Sequence, residues 1–317
     1  MNRAFFILSV LLSVAISVAA GQRAGCYRLV SYNVENFFDA THDSLKNDYD
    51  FLPTGRYRWS ESRFYGKAQQ IARVISWVGG EADQAVVVGL NEVENAHCLD
   101  VLCRMLRNYG YRYLHFEGPD SRGIDVALLY DPVQFRLIDS AALPVPPDEG
   151  PTRDILYAAG VLPTGDTLHV LECHLPSMRG GSEASERKRR AAKAVIGRQV
   201  DSLLALHPRA LVAVMGDMNC RPDEDLNGLH NRMIQPEQEG HGTHRYRGIW
   251  TCLDQIYLSS ALDSLADAGI FRHRELVEPD RRYLDVRPKR TFHGFRYHPS
   301  GFSDHLPVYL DICLPLR

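Results

Sequence analysis

Apolar runs, each about the length of a β-strand, recur along the whole chain. Several are apolar at nearly every position, which is typical of strands buried on both faces of a sheet. Many of these runs begin or end with Asn, Asp, Glu or His, side chains that can carry chemistry. The predicted strands lie at 27–34, 85–93, 123–130, 155–162, 167–174, 211–217, 254–258 and 308–312.

A second periodicity, with apolar residues three and four positions apart, predicts amphipathic helices between the strands. It is clearest at 61–78, where Phe64, Ala68 and Ile71 share one face and Gly79-Gly80 ends the pattern. Helices are also predicted at about 96–108 and at 183–206. Strands with interspersed helices indicate an α/β protein with a sheet core. Because no repeat or change in composition marks a second domain, we expect a single domain over residues 21–317.

The first 20 residues have the pattern of a secretory signal peptide. Arg3 precedes a mostly apolar, uncharged stretch that ends in the small residues Val18-Ala19-Ala20-Gly21. A membrane anchor is the competing interpretation, but the stretch is short for a span and no second candidate follows. Lipid attachment at Cys26 is disfavoured because Arg23 stands where an aliphatic residue is needed. We therefore expect a secreted or periplasmic protein with no stable membrane span after cleavage.

Composition and charge limit the classes of partner. The 317 residues are 45% hydrophobic and 24% charged, with a formal net charge of −3. The chain therefore lacks the overall positive charge of a protein that binds nucleic acid mainly through counterion release. The basic run at 187–190 is better explained as the solvated face of a helix. Seven cysteines match no zinc-binding spacing, and after export they are free to form disulfides.

The polar residues at the strand ends form an oxygen-rich set with two histidines and no cysteine. The set consists of Asn33, Glu92, His174, Asp217, Asn219, Asp254, Asp304 and His305. Such residues, contributed by many separate segments, resemble the sites at the strand ends of layered α/β proteins. Their ligand atoms suit Mg²⁺, Mn²⁺ or Ca²⁺ better than zinc. Taken alone, Asn33 is better explained as a turn residue that satisfies its own backbone.

Phosphoester cleavage needs groups of these types. A cation neutralises the charge that develops on the phosphoryl oxygens, a base activates water, and amide or imidazolium donors stabilise the transition state. His305 lies next to Asp304 and just before an apolar strand. It is the natural candidate for proton transfer because imidazole titrates near neutral pH.

Six motifs, in this order, resemble those of the endonuclease/exonuclease/phosphatase superfamily, which includes pancreatic-type deoxyribonucleases, abasic-site endonucleases, inositol polyphosphate 5-phosphatases and bacterial sphingomyelinase. The resemblance covers residues 27–313. It implies an α/β (α+β) four-layer sandwich, in which two mixed β-sheets pack face to face with helices on the outside. The motifs are YNVEN at 32–36, LNEVEN at 90–95, His174, GDMN at 216–219, LDQI at 253–256 and SDHLPV at 303–308.

The resemblance also implies a metal site. Glu92 would be the principal ligand of the ion, and Asn33 and Asp304 would lie close to it. Mg²⁺ is the expected cofactor, with Mn²⁺ and Ca²⁺ as alternatives.

The other five matched residues would be catalytic. His305 would transfer the proton, and Asp254 would fix its tautomer and raise its basicity. Asp217 and Asn219 would position the water and the phosphate, and His174 would donate to a phosphoryl oxygen. Abasic-site enzymes have a tyrosine at the position of His174, so the histidine favours the deoxyribonuclease or phosphatase branches.

Two further features of the deoxyribonucleases lead to specific expectations. In those enzymes an acid pairs with the histidine that matches His174, and Glu117 is the candidate here. Secreted deoxyribonucleases also carry a disulfide near the positions of Cys220 and Cys252, which suggests a Cys220–Cys252 bond.

The sequence favours an exported, divalent-metal-dependent phosphoesterase that hydrolyses phosphodiester bonds, specifically a DNA or RNA endonuclease. We expect the protein to be a monomer. Loops rich in tyrosine and arginine would supply stacking and phosphate contacts. The alternative is a phosphatase or a phospholipase C-like enzyme that acts on inositol phosphates, sphingomyelin or another small phosphoester. A binding protein that kept the fold without chemistry is disfavoured, because every matched position holds the expected residue type.

Overall fold

The computed structural model describes residues 25–79, 84–146, 150–177, 182–222 and 226–315. The predicted signal peptide lies outside the described residues. Within them, no helix combines the length and the apolar character that a membrane span requires.

Five α-helices are interspersed among eighteen strands in the described part of the chain. The helices are α1 (Glu61–Val78), α2 (Ala96–Met105), α3 (Ser182–Leu206), α4 (Ile234–Gln238) and α5 (Ser260–Asp263), and short 3₁₀ turns lie at Tyr49–Phe51 and Arg274–Leu276. The strands are β1 (Gly25–Phe37), β2 (Val87–Val93), β3 (Arg112–His115), β4 (Asp125–Tyr130), β5 (Arg136–Leu143), β6 (Ile155–Val161), β7 (Thr167–His174), β8 (Leu211–Asp217), β9 (His230–Asn231), β10 (His244–Tyr246), β11 (Ile249–Thr251), β12 (Asp254–Leu258), β13 (Ala266–Ile270), β14 (Val277–Asp280), β15 (Asp285–Pro288), β16 (Phe292–His293), β17 (Arg296–Tyr297) and β18 (Val308–Leu314).

Two six-stranded sheets of mixed direction form the centre of the molecule. The first has the strand order β13-β18-β1-β2-β4-β3, and the second has the order β5-β6-β7-β8-β12-β9. Each sheet contains one parallel pair, β1 with β2 and β7 with β8, among antiparallel neighbours. Parallel neighbours need a long crossover connection, and α1 and α3 lie in those two connections.

Three buried clusters separate four layers. Successive side chains of a strand point to opposite faces, so Leu29 packs between the sheets whereas Val30 packs toward α1. Helices α1 and α2 cover the outer face of the first sheet. Helix α3 covers the outer face of the second sheet through residues such as Ile196. This arrangement confirms the predicted sandwich of two mixed sheets with helices outside.

The segment that the sequence indicated as one basic, aromatic loop, 271–298, instead contains two hairpins. Strands β14 and β15 pair with each other, as do β16 and β17. Strands of two to four residues are too short to show a periodic pattern. Their turns require the left-handed backbone region, which Leu284 (φ 51°) and Gly294 (φ 63°) adopt.

The predicted Cys220–Cys252 disulfide is wrong. The structure joins Cys26 to Cys313, which lie opposite each other on β1 and β18. Cys220 and Cys252 remain thiols, because Cys220 packs in the cluster beneath α3 whereas Cys252 packs in the cluster between the sheets.

A glutamate lies between the two sheets, directly behind the strand ends. Glu172 is completely buried, and its Oε1 atom accepts hydrogen bonds from the Ser31 hydroxyl (2.5 Å) and the Asn91 amide (3.0 Å). Gly89 makes room for it, since a Cβ at that position would lie 2.0 Å from Oε2 of Glu172. Burial raises the pKa of Glu172 to about 8, so the carboxyl is neutral through much of the physiological range.

This raised pKa predicts a specific dependence of stability on pH. The folded protein holds the Glu172 proton up to about pH 8, whereas the unfolded chain releases it near 4.5. Stability therefore decreases between these values, by at most about 1.4 kcal/mol per pH unit. The Glu172→Gln variant has a neutral side chain at every pH. Its free energy of unfolding, relative to that of the wild type, should therefore increase as the pH rises.

Urea denaturation at pH 5, 6, 7 and 8 measures this difference. Glu183→Gln, at a side chain that is 88% exposed, is the control and should follow the wild type. Parallel stability curves for wild type and Glu172→Gln would show that Glu172 is already ionised in the folded protein.

Candidate active site

The register of three neighbouring strands places three predicted site residues in one row. His174 at the end of β7 lies opposite Asp217 at the end of β8, and Asp217 lies opposite Asp254 at the start of β12. Gly216 allows the close approach of β8 to β7. Its φ is 137°, and a Cβ there would lie 1.8 Å from the Cys173 carbonyl oxygen.

The first sheet contributes four more predicted residues, from β1, β2 and the segment before β18, whereas Asn219 directly follows β8 of the second sheet. The amide of Asn33 on β1 donates to Oδ2 of Asp217 across the gap between the sheets, at 3.0 Å. The pairing of β1 with β2 is irregular after Asn33, and that of β2 with β4 is irregular at Glu92. Such irregularities turn side chains away from the regular alternation of a strand.

Asp217 is the residue on which these groups converge. Its Oδ2 atom lies 3.6 Å from Nε2 of His174 and 3.9 Å from Nε2 of His305. Its Oδ1 atom accepts the backbone N–H of Asn219 at 3.0 Å, and its own N–H donates to the Asn91 side chain. Burial raises the pKa of Asp217 to about 7, against the lowering effect of His305.

His305 and Asp254 form a buried pair. Nδ1 of His305 lies 2.7 Å from Oδ2 of Asp254, which leaves Nε2 directed at Asp217. Ser303 fixes the backbone of this segment, since its hydroxyl accepts the N–H of His305 and donates to the carbonyl of Asn33. Burial by itself would lower the pKa of His305, but the charges of Asp254 and Asp217 outweigh it and hold the pKa well above its ordinary value.

His174 directs its Nε2 atom into the site. Its Nε2 atom lies 4.0 Å from Oε1 of Glu92 as well as near Asp217. Burial lowers the pKa of His174 well below its usual range, so the ring is neutral. Its Nδ1 atom has no hydrogen-bond partner among the described residues. The expectation that Glu117 pairs with His174 is therefore corrected, because Glu117 is mostly exposed and lies 3.9 Å from His115 instead.

An arginine that the sequence analysis missed supports the end of β7. Arg153 is buried and donates to the carbonyls of His174 (2.9 Å) and Leu175 (3.1 Å). Asp120 holds its guanidinium at 2.7 Å. The side-chain amide of Asn219 donates to the same Leu175 carbonyl at 2.9 Å. Arg153 and Asn219 thus fix the chain where His174 enters the site.

Lys67 and Glu35, both buried, form a second network that the sequence analysis missed. The Lys67 ammonium donates to the Thr291 hydroxyl and the Phe302 carbonyl, each at 2.5 Å, and Glu35 accepts the Thr291 N–H at 2.6 Å. Burial lowers the pKa of Lys67 to about 8 and raises that of Glu35 to about 8. The charge of Asp304 acts on both groups. The signal in the sequence was a lysine within the apolar stripe of α1.

His244 is a further residue at the site. Its backbone pairs with that of His305, and the two imidazole rings lie 4.9 Å apart. His244, Asp304 and His305 place one ligand-type atom each within 4.8 Å of one another. Burial, together with the charge of His305, lowers the pKa of His244 to about 4. A neutral imidazole therefore borders Asp304.

The backbone is strained around the site. Four of the eight non-glycine residues with positive φ in the described chain belong to the site or its border: Glu35 (54°), Asn36 (55°), Glu92 (67°) and Asn219 (48°). Such conformations cost free energy, persist only where the surrounding structure enforces them, and cluster at functional sites. At Glu92 the strained backbone accompanies a hydrogen bond of 2.8 Å from the Asn36 N–H to the carboxylate.

The charges of the site fit a divalent cation. Its acidic groups are Glu35, Glu92, Asp217, Asp254 and Asp304, and its basic groups are Lys67, Arg290 and His305. Glu92, Asp304 and the amide oxygen of Asn33 are hard oxygen donors of the kind that Mg²⁺ prefers. The amide oxygen of Asn33 accepts one hydrogen bond, from the Glu35 N–H, and keeps a lone pair. These three residues would hold the ion.

Comparisons with known proteins agree with this fold. The chain matches the family described as "Endonuclease/Exonuclease/phosphatase family" over residues 28–313. No curated protein sequence matches it significantly.

Several solved structures share the fold at low sequence identity. Truncated TDP2 from Caenorhabditis elegans is 16% identical with a TM-score of 0.58, and the match covers 91% of this chain and 98% of that one. The catalytic domain of human Nocturnin with a bound sulfate anion is 18% identical with a TM-score of 0.56, covering 90% and 92%. A mannosyl-6-phosphatase from Bacteroides thetaiotaomicron is 16% identical with a TM-score of 0.55, covering 90% and 98%.

The network of Lys67 and Glu35 predicts a large effect of removing one charge. Lys67→Met leaves the Thr291 hydroxyl and the Phe302 carbonyl buried without the ammonium, so the free energy of unfolding at pH 7 should fall by about 1–3 kcal/mol. The double variant Lys67→Met/Glu35→Gln replaces both ionisable groups and should recover part of this loss. Urea denaturation measures both effects. A double variant less stable than Lys67→Met would refute the coupling.

Proposed function

The chain belongs to the endonuclease/exonuclease/phosphatase family, whose members hydrolyse phosphoester bonds, and on that premise we propose that it is an exported, divalent-metal-dependent phosphodiesterase that cleaves DNA or RNA. The observation that carries this proposal is the buried His305–Asp254 pair directed at Asp217, at the point where both sheets end. These groups are placed to move protons beside a cluster of carboxylates.

The proposed proton transfers follow from the protonation states of the pair. Asp217, with a pKa of about 7, accepts a proton from the attacking water. His305, with a pKa well above its usual value, donates one to the leaving oxygen, and the proton held by Asp217 then returns to Nε2 of His305, which lies 3.9 Å from Oδ2 of Asp217. Asp254 accepts a hydrogen bond from Nδ1 of His305 and so keeps the proton on Nε2 directed at the site.

Phosphate binding would use the remaining groups. The neutral ring of His174 donates from Nε2 to a phosphoryl oxygen, and the amide of Asn33 orients Asp217. Glu92, Asn33 and Asp304 hold the cation, as enzymes of this family typically use a divalent metal. The bound cation supplies neutralisation of the charge that develops on the phosphoryl oxygens.

The surface beside the site favours a nucleic acid substrate. Hairpin β10–β11 begins at His244, next to His305, and carries Tyr246, which is 64% exposed and has Arg247 stacked over its ring at 5.2 Å. Phe295, on the turn of the hairpin β16–β17, is 57% exposed and has Arg56 over its ring at 4.5 Å. Exposed aromatic faces stack with bases, and guanidinium groups contact phosphates.

A phosphatase or phospholipase C-like enzyme for a small or lipid phosphoester is the second candidate. The net charge of −3 favours it, since the chain has no overall attraction for a polyanion. One structure with the same fold is named as a mannosyl-6-phosphatase, and another contains a sulfate anion, which has the tetrahedral shape of phosphate.

The proposed chemistry predicts loss of turnover when the pair is broken. His305→Ala and Asp254→Asn should each lower kcat at least ~100-fold, because the first removes the proton donor and the second its orientation. Chelation should abolish activity and Mg²⁺ should restore it. His230→Ala, at a half-exposed histidine of β9, is the matched control and should keep full activity.

The substrates to be measured are plasmid DNA, RNA, bis-p-nitrophenyl phosphate, a phosphomonoester, inositol phosphates and sphingomyelin, each with and without chelator. Turnover of DNA or RNA supports the nuclease. Turnover confined to the monoester, the inositol phosphates or sphingomyelin would replace it with the second candidate. Activity of His305→Ala within a few-fold of wild type would remove the role proposed for that residue.

Export is the part of the proposal that rests on the leader sequence and on the cysteines. The disulfide between Cys26 and Cys313 supports an oxidising compartment. Protein recovered from the periplasm or medium of a bacterial host should begin at Gly21, as measured by N-terminal sequencing. Cys313→Ser should lower the free energy of unfolding by about 2–5 kcal/mol. An intact Met1 together with reduced Cys26 and Cys313 would contradict export.

A further inference from the structure

A second group of metal-ligand side chains lies outside the active site, on the two hairpins of residues 277–298. Glu278 is on β14, His293 is on β16, and His298 directly follows β17. One ligand-type atom from each lies within 4.8 Å of the other two. Nε2 of His293 and Oε1 of Glu278 are 3.4 Å apart, and the two imidazole rings are nearly perpendicular with centroids 5.3 Å apart.

We propose that Glu278, His293 and His298 form a binding site for Zn²⁺ that is separate from the active-site cation. Two imidazoles and one carboxylate are a ligand set that zinc uses, with water in the fourth position. With bond lengths of about 2.0–2.2 Å, tetrahedral zinc spaces its ligand atoms roughly 3.3–3.6 Å apart. The distance between His293 and Glu278 already has this value, and a small movement of His298 completes the set.

An unsatisfied buried atom supports this site. Nδ1 of His298 is buried and has no hydrogen-bond partner in the described part of the chain, an arrangement that costs free energy unless something binds there.

The neighbouring charges favour zinc over the hard cations of the active site. Nε of Arg287 donates to Oε1 of Glu278 at 2.9 Å. Such a bond holds a ligand carboxylate in place, and it leaves Oε2 and a second lone pair of Oε1 for the metal. Because Arg287 balances the charge of Glu278, an ion that depends on carboxylate charge gains little here. Zinc gains most from the two nitrogen ligands.

The ion would connect the hairpins to the wall of the active site. The N–H of His298 donates to the carbonyl of Thr291 at 2.8 Å, and the N–H of Thr291 donates to Glu35. Arg290, the preceding residue, lies 3.9 Å from Asp304. A zinc ion bound to both hairpins therefore fixes the segment that carries Arg290 and Thr291.

Equilibrium dialysis of the metal-free, full-length mature protein against Zn²⁺ in excess Mg²⁺ tests the site, with bound zinc measured by atomic absorption. His293→Ala, His298→Ala and Glu278→Gln should each weaken the binding of one zinc ion at least ~10-fold, since even the loss of an outer-shell partner has that effect. His230→Ala removes a histidine elsewhere and should bind zinc like the wild type. Glu92→Ala, in the active site, should also retain this ion.

A second measurement does not depend on counting ions. Zinc at a concentration well above Kd should raise the Tm of the wild type, His230→Ala and Glu92→Ala, but not that of His298→Ala. Circular dichroism establishes that each variant is folded. If a histidine variant does not fold, Glu278→Gln, which keeps the hydrogen bond from Arg287, replaces it in the Tm measurement. Unchanged zinc binding and Tm shift in the three ligand variants, or loss of zinc only in Glu92→Ala, would overturn the proposal.

Discussion

The register across β7, β8 and β12 is the constraint on which the site depends. It places His174, Asp217 and Asp254 side by side at the edge of the second sheet, and the first sheet then adds Asn33 and His305 from across the gap. A slip of one residue in a strand moves every side chain to the opposite face. The apolar side chains of these strands fill two different buried clusters, so a slip would also place polar groups in the core. The hydrophobic effect, which acts on the rest of each strand, therefore fixes the position of the polar ends.

The burial that fixes the register also imposes a desolvation cost on the polar side chains at the strand ends. A buried ionised group is tolerated only when it is paired and hydrogen-bonded, and the two central carboxylates of this site are held in this way. Asp254 is paired with His305, and Asp217 accepts hydrogen bonds at both of its oxygens. Behind them, Glu172 avoids the cost by remaining protonated. The positive φ of Glu92 also costs free energy, and the packing of the surrounding core offsets that cost.

The sequence could single out these strand-end residues, which the structure brings together, because their signal is local. A buried strand that ends in a carboxylate or a histidine is visible without knowledge of its neighbours, and the order of the motifs indicated which strand ends belong together. Lys67 and Arg153 escaped prediction because their meaning depends on contacts far along the chain. Lys67 contacts Thr291 and Phe302, and Arg153 contacts Asp120 and the chain at His174. The disulfide was mispredicted for the same reason, since the pairing of β1 with β18 joins the two ends of the described chain.

The features that would distinguish one substrate from another lie where the sequence pattern is weakest. The strand ends would supply chemistry that any phosphoester could undergo, and the fold alone does not separate a polymer from a small molecule. The hairpins of residues 244–251 and 277–298 border the site, expose Tyr246 and Phe295, and show no periodic pattern in the sequence because their strands are so short. Their positions relative to Asp304 and His305 are set by a few long-range contacts, among them that of Arg290 with Asp304. Selectivity is therefore expected to depend on how firmly these hairpins are held, and a bound ion on them would bear directly on it.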